Sequence, residues 1–220
     1  MSTFISGGAS SGKSMWAQRV AVKYGSPRYY IATMIPRDDE DRARVRRHRE
    51  ARAGWGFQTI ECGGDILRCL DAADPGGAFL LDSVTALLAN AMFAPDGMCP
   101  DAPRRIADEL AEFVRRAPKT VLVSDFIYAD ALRYDPMTEA FRAGLADVDR
   151  RLAQCCDDVL EAVCGQIVVH KGSSKTIALA DEMNSSQVAL AKDAGCLAGS
   201  QGFCKRQMTD IQPSASDESF

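Results

Sequence analysis

The sequence lacks several features that define common classes of protein. No apolar run approaches the roughly 18 residues needed to cross a bilayer, and the first residues lack the basic and apolar regions of a secretory signal. The formal net charge of −4 gives no general basic surface for nucleic acid or for an anionic membrane. We therefore expect a cytoplasmic protein with no membrane span and no nucleic-acid partner.

The eight cysteines follow no pattern typical of metal binding or of export. They include no C-x-x-C pair, and the adjacent Cys155 and Cys156 would point in different directions from a helix. A chain of 220 residues without an export signal is expected to keep its thiols reduced. This spacing disfavours a zinc site, and we interpret most cysteines as small core residues.

One complete motif stands at the N-terminus. Residues 7–14 fill every position of the phosphate-binding pattern G-x-x-x-x-G-K-[ST], directly after the apolar run of residues 3–6. A glycine-rich turn that binds nothing is the alternative, but the strand before the motif and the helix after it favour a nucleotide site. The residues predicted to bind nucleotide here are Gly7, Gly8, Ala9, Ser10, Ser11, Gly12, Lys13 and Ser14.

The last two residues of the motif carry most of its chemistry. Lys13 is expected to reach the β- and γ-phosphates of a nucleoside triphosphate, and it is a candidate catalytic residue. The Ser14 hydroxyl is expected to hold Mg²⁺. A nucleoside triphosphate, such as GTP or ATP, is therefore the predicted ligand, and the motif does not distinguish between them.

Hydrophobic patterning predicts alternating strands and helices along the rest of the chain. Strands are predicted over residues 28–33, 57–61, 78–82, 120–124 and 165–170. Helices are predicted over residues 15–24, 36–53, 65–73, 83–93, 104–116 and 136–163, the last with a break near 155–158. Residues 95–103 and 126–135 are predicted to be irregular.

This order predicts an α/β fold, a P-loop NTPase with a mostly parallel sheet flanked by helices. We expect a catalytic domain over residues 1–172. Residues 173–220 would form a C-terminal extension whose small, polar end is expected to be disordered.

A second candidate site residue ends the apolar run of residues 78–82. Asp82 follows four apolar residues, as expected of a central parallel strand with a carboxylate at its carboxyl end. P-loop enzymes place a Mg²⁺-organising aspartate there, so Asp82 is predicted to bind nucleotide and metal together with Ser14. An ordinary helix cap for residues 83–93 is the alternative.

With these elements in order, the chain resembles the adenosylcobinamide kinase / adenosylcobinamide-phosphate guanylyltransferase family. The resemblance covers about residues 1–172 and is most specific at residues 7–14 and at residues 44–49, Arg-Val-Arg-Arg-His-Arg. The pattern Trp55-x-x-x-Thr59-x-Glu61 supports it. A phosphate loop alone does not distinguish this family, whereas the arginine-rich helix with its histidine does.

The resemblance implies a bifunctional, Mg²⁺-dependent enzyme with a RecA-like fold, usually a homotrimer. Such an enzyme phosphorylates the aminopropanol hydroxyl of adenosylcobinamide. It then transfers GMP from GTP through a guanylyl-histidine to give adenosylcobinamide-GDP and pyrophosphate. The implied partners are a corrinoid and a nucleoside triphosphate.

His48 matches the nucleophilic histidine of the family, four residues after Arg44. A neutral imidazole suits this role because its nitrogen can attack the α-phosphorus. Without the family, a lone histidine on an arginine-rich helix is typical of a solvated surface. Glu61 matches a recurrent acid of the family and is predicted to line the nucleotide site, with a plain strand-end carboxylate as the alternative. His170, on the last predicted strand, is interpreted as structural.

The second half of the chain departs from the family pattern. Where many members carry S/T-N-E-V-G, this chain has Ser-Asp-Phe-Ile-Tyr at residues 124–128, and their later N-Q pair aligns with Asp149 and Arg150. Asp125 offers a carboxylate one position earlier than the missing acid. Two alternatives therefore stay open, namely a P-loop kinase of another small alcohol and a non-catalytic GTP-binding regulatory protein.

Overall fold

The computed structural model describes residues 1–94 and 97–193. The described ranges contain six α-helices and one 3₁₀ helix, Ile66–Asp71. The α-helices are α1 (Lys13–Lys23), α2 (Asp39–Ala51), α3 (Val84–Met92), α4 (Ala102–Arg116), α5 (Pro136–Cys155) and α6 (Ser174–Asp193). The strands are β1 (Thr3–Gly7), β2 (Arg28–Ala32), β3 (Phe57–Glu61), β4 (Ala78–Asp82), β5 (Phe93–Ala94), β6 (Gly97–Met98), β7 (Thr120–Asp125), β8 (Asp158–Val163) and β9 (Gln166–Lys171).

Seven strands form one sheet in the order β3-β2-β4-β7-β1-β8-β9. All neighbouring pairs are parallel except β8 and β9, which are antiparallel. One strand, β7, separates the phosphate-loop strand β1 from β4, the strand that ends in Asp82. This order is typical of RecA-like P-loop proteins, so the predicted fold class is confirmed.

The core lies on both faces of this sheet. On one face α1 packs against β1, β4, β7 and β8 through Trp16, Ala17 and Val20, which are buried. On the other face the side chains of α3, α4 and α5 form one apolar cluster with alternate residues of the central strands, such as Phe79 and Leu81. Because β4 is covered on both faces, its sequence is continuously apolar up to Asp82.

The structure corrects the prediction of a helix extending to residue 163. Helix α5 ends at Cys155, and residues 158–163 form β8, which pairs in parallel with β1 and antiparallel with β9. Burial alternates along β8, with Asp158, Leu160 and Ala162 facing inward, which is the period of a strand. A short apolar run without strong turn signals is ambiguous in sequence, and pairing with the phosphate-loop strand decided it.

A second correction concerns the loop predicted from residue 95 to residue 103. Gly97 and Met98, inside this predicted loop, form a two-stranded antiparallel ladder in which Met98 pairs with Phe93 and Gly97 with Ala94. Helix α4 then begins at Ala102. The segment of residues 126–135 has no helix or strand, as predicted.

The chain divides into two compact units, residues 1–180 and residues 181–220, of which the second is described as far as residue 193. The expected domain boundary after residue 172 stays a prediction. The end that we expect to be disordered lies outside the described residues. Within the described ranges, every helix is too short or too polar to cross a membrane.

Candidate active site

The candidate site residues collect at the carboxyl ends of the central parallel strands. In the register of the sheet, Ala32 lies beside Asp82, and Gly7 lies beside Asp125. Open α/β sheets bind ligands at this edge, because loops and helix N-termini converge there. The sheet therefore brings the phosphate loop, Asp82 and Asp125 to one side of the molecule.

The phosphate loop requires glycine at two positions. A Cβ atom on Gly7 would lie 2.7 Å from the carbonyl oxygen of Ala162 and 2.7 Å from Oγ of Ser11. Gly12 has φ +90° and precedes the first turn of α1, where its carbonyl oxygen accepts hydrogen bonds from Met15 and Trp16. The first glycine permits close approach of β8, and the second adopts a backbone conformation that side chains rarely take.

Lys13 lies inside the loop and contacts an acid from the neighbouring strand. Its Nζ atom is 2.7 Å from Oδ1 of Asp125 and donates to the carbonyl oxygen of Gly8 at 3.0 Å. The side chains of Lys13 and Asp125 are 10% and 19% exposed. The ammonium is thus held at the loop, close to where phosphate oxygens bind in proteins of this class.

Helix α2 brings His48 to Asp82. The helix begins after Asp38, whose carboxylate accepts a hydrogen bond from the amide of Asp41, and its first turn is acidic, as the macrodipole favours. Nδ1 of His48 lies 3.6 Å from Oδ2 of Asp82, and the His48 side chain is 35% exposed. The histidine is therefore on the inner rim of the site and open to a ligand.

Asp82 is the centre of this arrangement. Burial opposes its ionisation, but the His48 imidazole, the Tyr30 hydroxyl and the Ser14 hydroxyl outweigh burial and lower the pKa of Asp82. The Tyr30 hydroxyl donates to Oδ2 of Asp82 at 3.2 Å. Ser83, and not Asp82, caps α3, because its hydroxyl accepts from the amide of Ala86. Asp82 is thus a charged carboxylate facing the phosphate loop.

Sequence patterns did not identify Arg52 as a site residue. Its guanidinium carbon lies 3.4 Å from the centroid of the Tyr30 ring, and the residue is 8% exposed. Burial lowers the pKa of Arg52, partly offset by the negative charge of Asp82. Arg52 follows His48 by one helical turn, and this spacing was the sequence signal that could have identified it.

Glu61 lies on the outer part of the same pocket. Its carboxylate accepts from Nη2 of Arg49 at 3.1 Å, and both side chains are mostly exposed. The pocket has an empty volume of about 700 Å³, including space open to solvent. Its polar lining includes Tyr30, His48, Arg49, Arg52, Glu61 and Asp82.

The two stretches that depart from the family pattern meet in the structure. The Asp149 carboxylate accepts hydrogen bonds from Oγ of Ser124 at 3.0 Å and from the Tyr128 hydroxyl at 3.1 Å. Oδ1 of Asp149 has no hydrogen-bond partner among the described residues. Burial, together with the negative charge of Asp125, outweighs the two hydrogen bonds and raises the pKa of Asp149 to about 7. Sequence patterns did not predict that this acid is buried against Ser124 and Tyr128.

His170 takes no part in the pocket described above. Its Nε2 atom is 2.8 Å from Oε2 of Glu161 on the neighbouring strand, and its side chain is half exposed. This contact across an exposed antiparallel pair agrees with the structural interpretation of His170.

The fold and the site define the class of the protein. A P-loop nucleotide-binding enzyme has a glycine-rich loop between a buried strand and a helix, with a lysine at the end of the loop. It also has an acid at the end of a nearby strand of the sheet. This chain has all of these features, with Asp82 ending β4, two positions from β1 in the sheet. A comparison with protein families gives the particular family. The model described as "Cobinamide kinase / cobinamide phosphate guanyltransferase" matches residues 3–170, and the chain belongs to this family of bifunctional transferases.

Curated relatives agree with this assignment. The chain is 33% identical over 180 residues to the bifunctional adenosylcobalamin biosynthesis protein CobU of Salmonella typhimurium, covering 75% of this chain and 97% of the relative. It is 29% identical over 175 residues to the bifunctional protein CobP of Pseudomonas aeruginosa, covering 78% and 98%. The resemblance in the sequence is therefore confirmed.

Two solved structures match the chain with lower similarity. The RadB recombinase matches with a TM-score of 0.45 and 18% identity, covering 79% of this chain and 81% of that chain. An ATPase of a bacterial type III secretion system matches with a TM-score of 0.43 and 15% identity, covering 88% and 66%.

Proposed function

We propose that this enzyme phosphorylates adenosylcobinamide and then transfers GMP from GTP to adenosylcobinamide phosphate through a guanylyl group on His48. Membership of the family supports both reactions. The observation that carries the assignment of His48 is its position 3.6 Å from Asp82, which also contacts Ser14 of the phosphate loop. One triphosphate bound at the loop would thus lie within reach of His48.

Nucleotide binding depends on the phosphate loop. Its backbone N–H groups and the N-terminus of α1 favour phosphate oxygens, and Lys13 adds a positive charge that is largely shielded from water. GTP supplies the guanylyl group, and GTP or ATP supplies the phosphoryl group. Glu61, Arg49 and Arg52, which line the pocket, would contact the part of the nucleotide that extends toward α2.

Ser14 and Asp82 fit a Mg²⁺ site. The Ser14 hydroxyl donates to the Asp82 carboxylate, and hard oxygen ligands are those that Mg²⁺ prefers. Within the described residues no group of three or more His, Cys, Asp and Glu side chains could hold a metal ion. Water and phosphate oxygens would complete a Mg²⁺ site at Ser14 and Asp82, and the ion would supply charge neutralisation when bound.

The guanylyl transfer uses His48 as nucleophile. Its Nδ1 atom is the nitrogen nearest Asp82, so the carboxylate favours the tautomer with a proton on Nδ1 and leaves Nε2 free to attack. A bond forms between Nε2 and the α-phosphorus while the bond from that phosphorus to the pyrophosphate oxygen breaks. An oxygen of the corrinoid phosphate then forms a bond to the same phosphorus while the bond from phosphorus to Nε2 breaks, which regenerates His48. Arg49 and Arg52 would stabilise the charge that develops.

A labelling experiment tests the proposal. Enzyme incubated with Mg²⁺ and α-labelled GTP is expected to retain an acid-labile, alkali-stable label, and His48→Ala is expected to lose it. The second histidine gives a matched control, because His170→Ala leaves the pocket intact and should retain the label. Label on His48→Ala equal to that on the wild type would exclude His48 as the nucleophile.

The same preparation separates the alternatives. Corrinoid-independent phosphorylation of another alcohol, without covalent label, would identify a different P-loop kinase. GTP binding with neither reaction would identify a regulatory protein. We also propose a cytoplasmic homotrimer on the basis of the family resemblance, and light scattering during size-exclusion chromatography measures the oligomeric state.

A further inference from the structure

Asp125 ends strand β7 beside the phosphate loop, in a position that the reactions above do not explain. Its carboxylate contacts the Lys13 ammonium at 2.7 Å. Its backbone is held on both sides, since the Asp125 amide donates to Oγ1 of Thr85 at 2.9 Å and the Phe126 amide donates to the carbonyl oxygen of Gly7 at 3.0 Å. The strand register thus fixes a carboxylate beside the loop.

The contact with Lys13 places this carboxylate near the transferred phosphoryl group. A lysine ammonium has three donors arranged tetrahedrally, so two acceptors bound to one ammonium lie about 4–5 Å apart. Lys13 is expected to bind β- and γ-phosphate oxygens when a nucleotide is present. A hydroxyl group approaching the γ-phosphorus would therefore come within reach of Oδ of Asp125.

We infer that Asp125 is the general base of the phosphoryl-transfer reaction and accepts the proton of the acceptor alcohol; this rests on the proposed function. The O–H bond of the alcohol breaks, and its proton passes to the carboxylate. The alcohol oxygen forms a bond to the γ-phosphorus while the bond to the β–γ bridging oxygen breaks. Lys13 stabilises the negative charge on the nucleoside diphosphate as it leaves. Asp125 then gives the proton to water.

The other acids near the loop are less suited to this role. Asp82 faces His48 and Ser14 on the neighbouring side of the site. Asp149 is 3% exposed and already accepts two hydrogen bonds from protein side chains, so an acceptor alcohol does not reach it. Glu61 lies on the outer rim with Arg49. Residues 126–129 contain no acid, and further along the same segment Asp130 is paired with the Arg142 guanidinium at 2.7 Å, while Asp135 caps α5.

Substitutions at Asp125 separate this role from simple support of Lys13. For Asp125→Asn we expect kcat of corrinoid phosphorylation to fall at least about 100-fold, which is the usual range for loss of a general base. Affinity for GTP and the rate of His48 labelling should stay within about threefold, because neither needs proton abstraction from the alcohol. Formate should restore part of the rate of Asp125→Ala by replacing the missing carboxylate. Asp147→Asn, which removes an exposed carboxylate on α5, is the matched control and should phosphorylate at the wild-type rate.

Two results would overturn the inference. One is phosphorylation by Asp125→Asn with kcat within threefold of the wild type. The other is a parallel loss of phosphorylation, GTP affinity and His48 label, which would mean that Asp125 acts by holding Lys13. A wild-type enzyme that phosphorylates no corrinoid would instead contradict the proposed function itself.

Discussion

The Arg52 guanidinium lies over the Tyr30 ring, with 3.4 Å between its central carbon and the ring centroid, and the Tyr30 hydroxyl donates to Asp82. One side chain from β2 thus supports a buried positive charge with its ring and orients a buried negative charge with its hydroxyl. A stacked guanidinium is planar, and a lysine ammonium does not reproduce this contact.

Replacing Arg52 with lysine should therefore slow guanylyl transfer although the charge is kept. Loss of the stacked contact and of the fixed donors, together worth about 1–2 kcal/mol, should reduce the rate of His48 labelling about 5- to 30-fold. Single-turnover labelling with α-labelled GTP measures it. Arg46→Lys, at an exposed position of the same helix, is the control and should label at the wild-type rate. An unchanged labelling rate in Arg52→Lys would show that the guanidinium of Arg52 is not needed for guanylyl transfer.

The Tyr30 hydroxyl can be tested separately from its ring. Tyr30→Phe keeps the surface under Arg52 and removes the hydrogen bond to Asp82, one of the contacts that lower the pKa of that acid. A hydrogen bond to a charged group contributes about 1.5–3 kcal/mol. Because the Asp82 carboxylate is then less well oriented, the affinity for Mg²⁺, measured in the presence of GTP, should fall by about 10-fold or more. Equal Mg²⁺ affinity in both proteins would mean that His48 and Ser14 suffice to orient the carboxylate.

Lys13→Ala should weaken the binding of GTP by about 10-fold or more, because it removes a charge-assisted contact to the phosphates. Fluorescence titration or calorimetry with GTP measures this change. In the free protein the same substitution leaves the Asp125 carboxylate without its ammonium. The double variant Lys13→Ala/Asp125→Asn should therefore unfold at a higher temperature than Lys13→Ala alone. Identical melting temperatures would show that Asp125 gains its stabilisation elsewhere.

Two neighbouring glycines offer a matched comparison of stability. A Cβ atom on Gly7 would lie 2.7 Å from a backbone oxygen of β8, whereas a Cβ atom on Gly8 would meet nothing within 4 Å. Gly7→Ala should lower the melting temperature by several degrees, since strands β1 and β8 must separate locally. Gly8→Ala should melt close to the wild type. Equal melting temperatures would contradict the tight packing described for the loop.

The buried acid Asp149 should make stability depend on pH. Its pKa is raised to about 7 from an ordinary value of 3.8, so the folded protein binds a proton that the unfolded chain has lost between these values. Stability from this group is fully present below the ordinary value and is lost progressively as the pH rises toward 7. Asp149→Asn has no carboxyl group to ionise, so it should raise the melting temperature more at pH 8 than at pH 5.

Thermal unfolding of both proteins at the two pH values checks this prediction. Asp147→Asn, which removes an exposed carboxylate from the same helix, should shift the melting temperature by a similar small amount at both. A stabilisation by Asp149→Asn that is the same at pH 5 and pH 8 would mean that Asp149 is ionised over the whole range.

The sequence by itself determined the phosphate loop, the position of Asp82 and the family. These features rest on local chemistry. Gly7 and Gly12 permit backbone conformations that other residues do not, and an apolar run that ends in one acid is typical of a central parallel strand. The arginine-rich helix with His48 identified the family. The interval between this helix and the phosphate loop can be read from the sequence, because it does not depend on packing.

Only the tertiary structure decided which distant side chains meet. Lys13 contacts Asp125, and Asp149 contacts Ser124 and Tyr128, because parallel strand pairing and the packing of α5 bring these segments together. Residues 158–163 became a strand for the same reason, since their apolar pattern fits either element until β1 offers a partner. Periodicity records which face of an element is buried, whereas the partner across that face is set by the path of the whole chain.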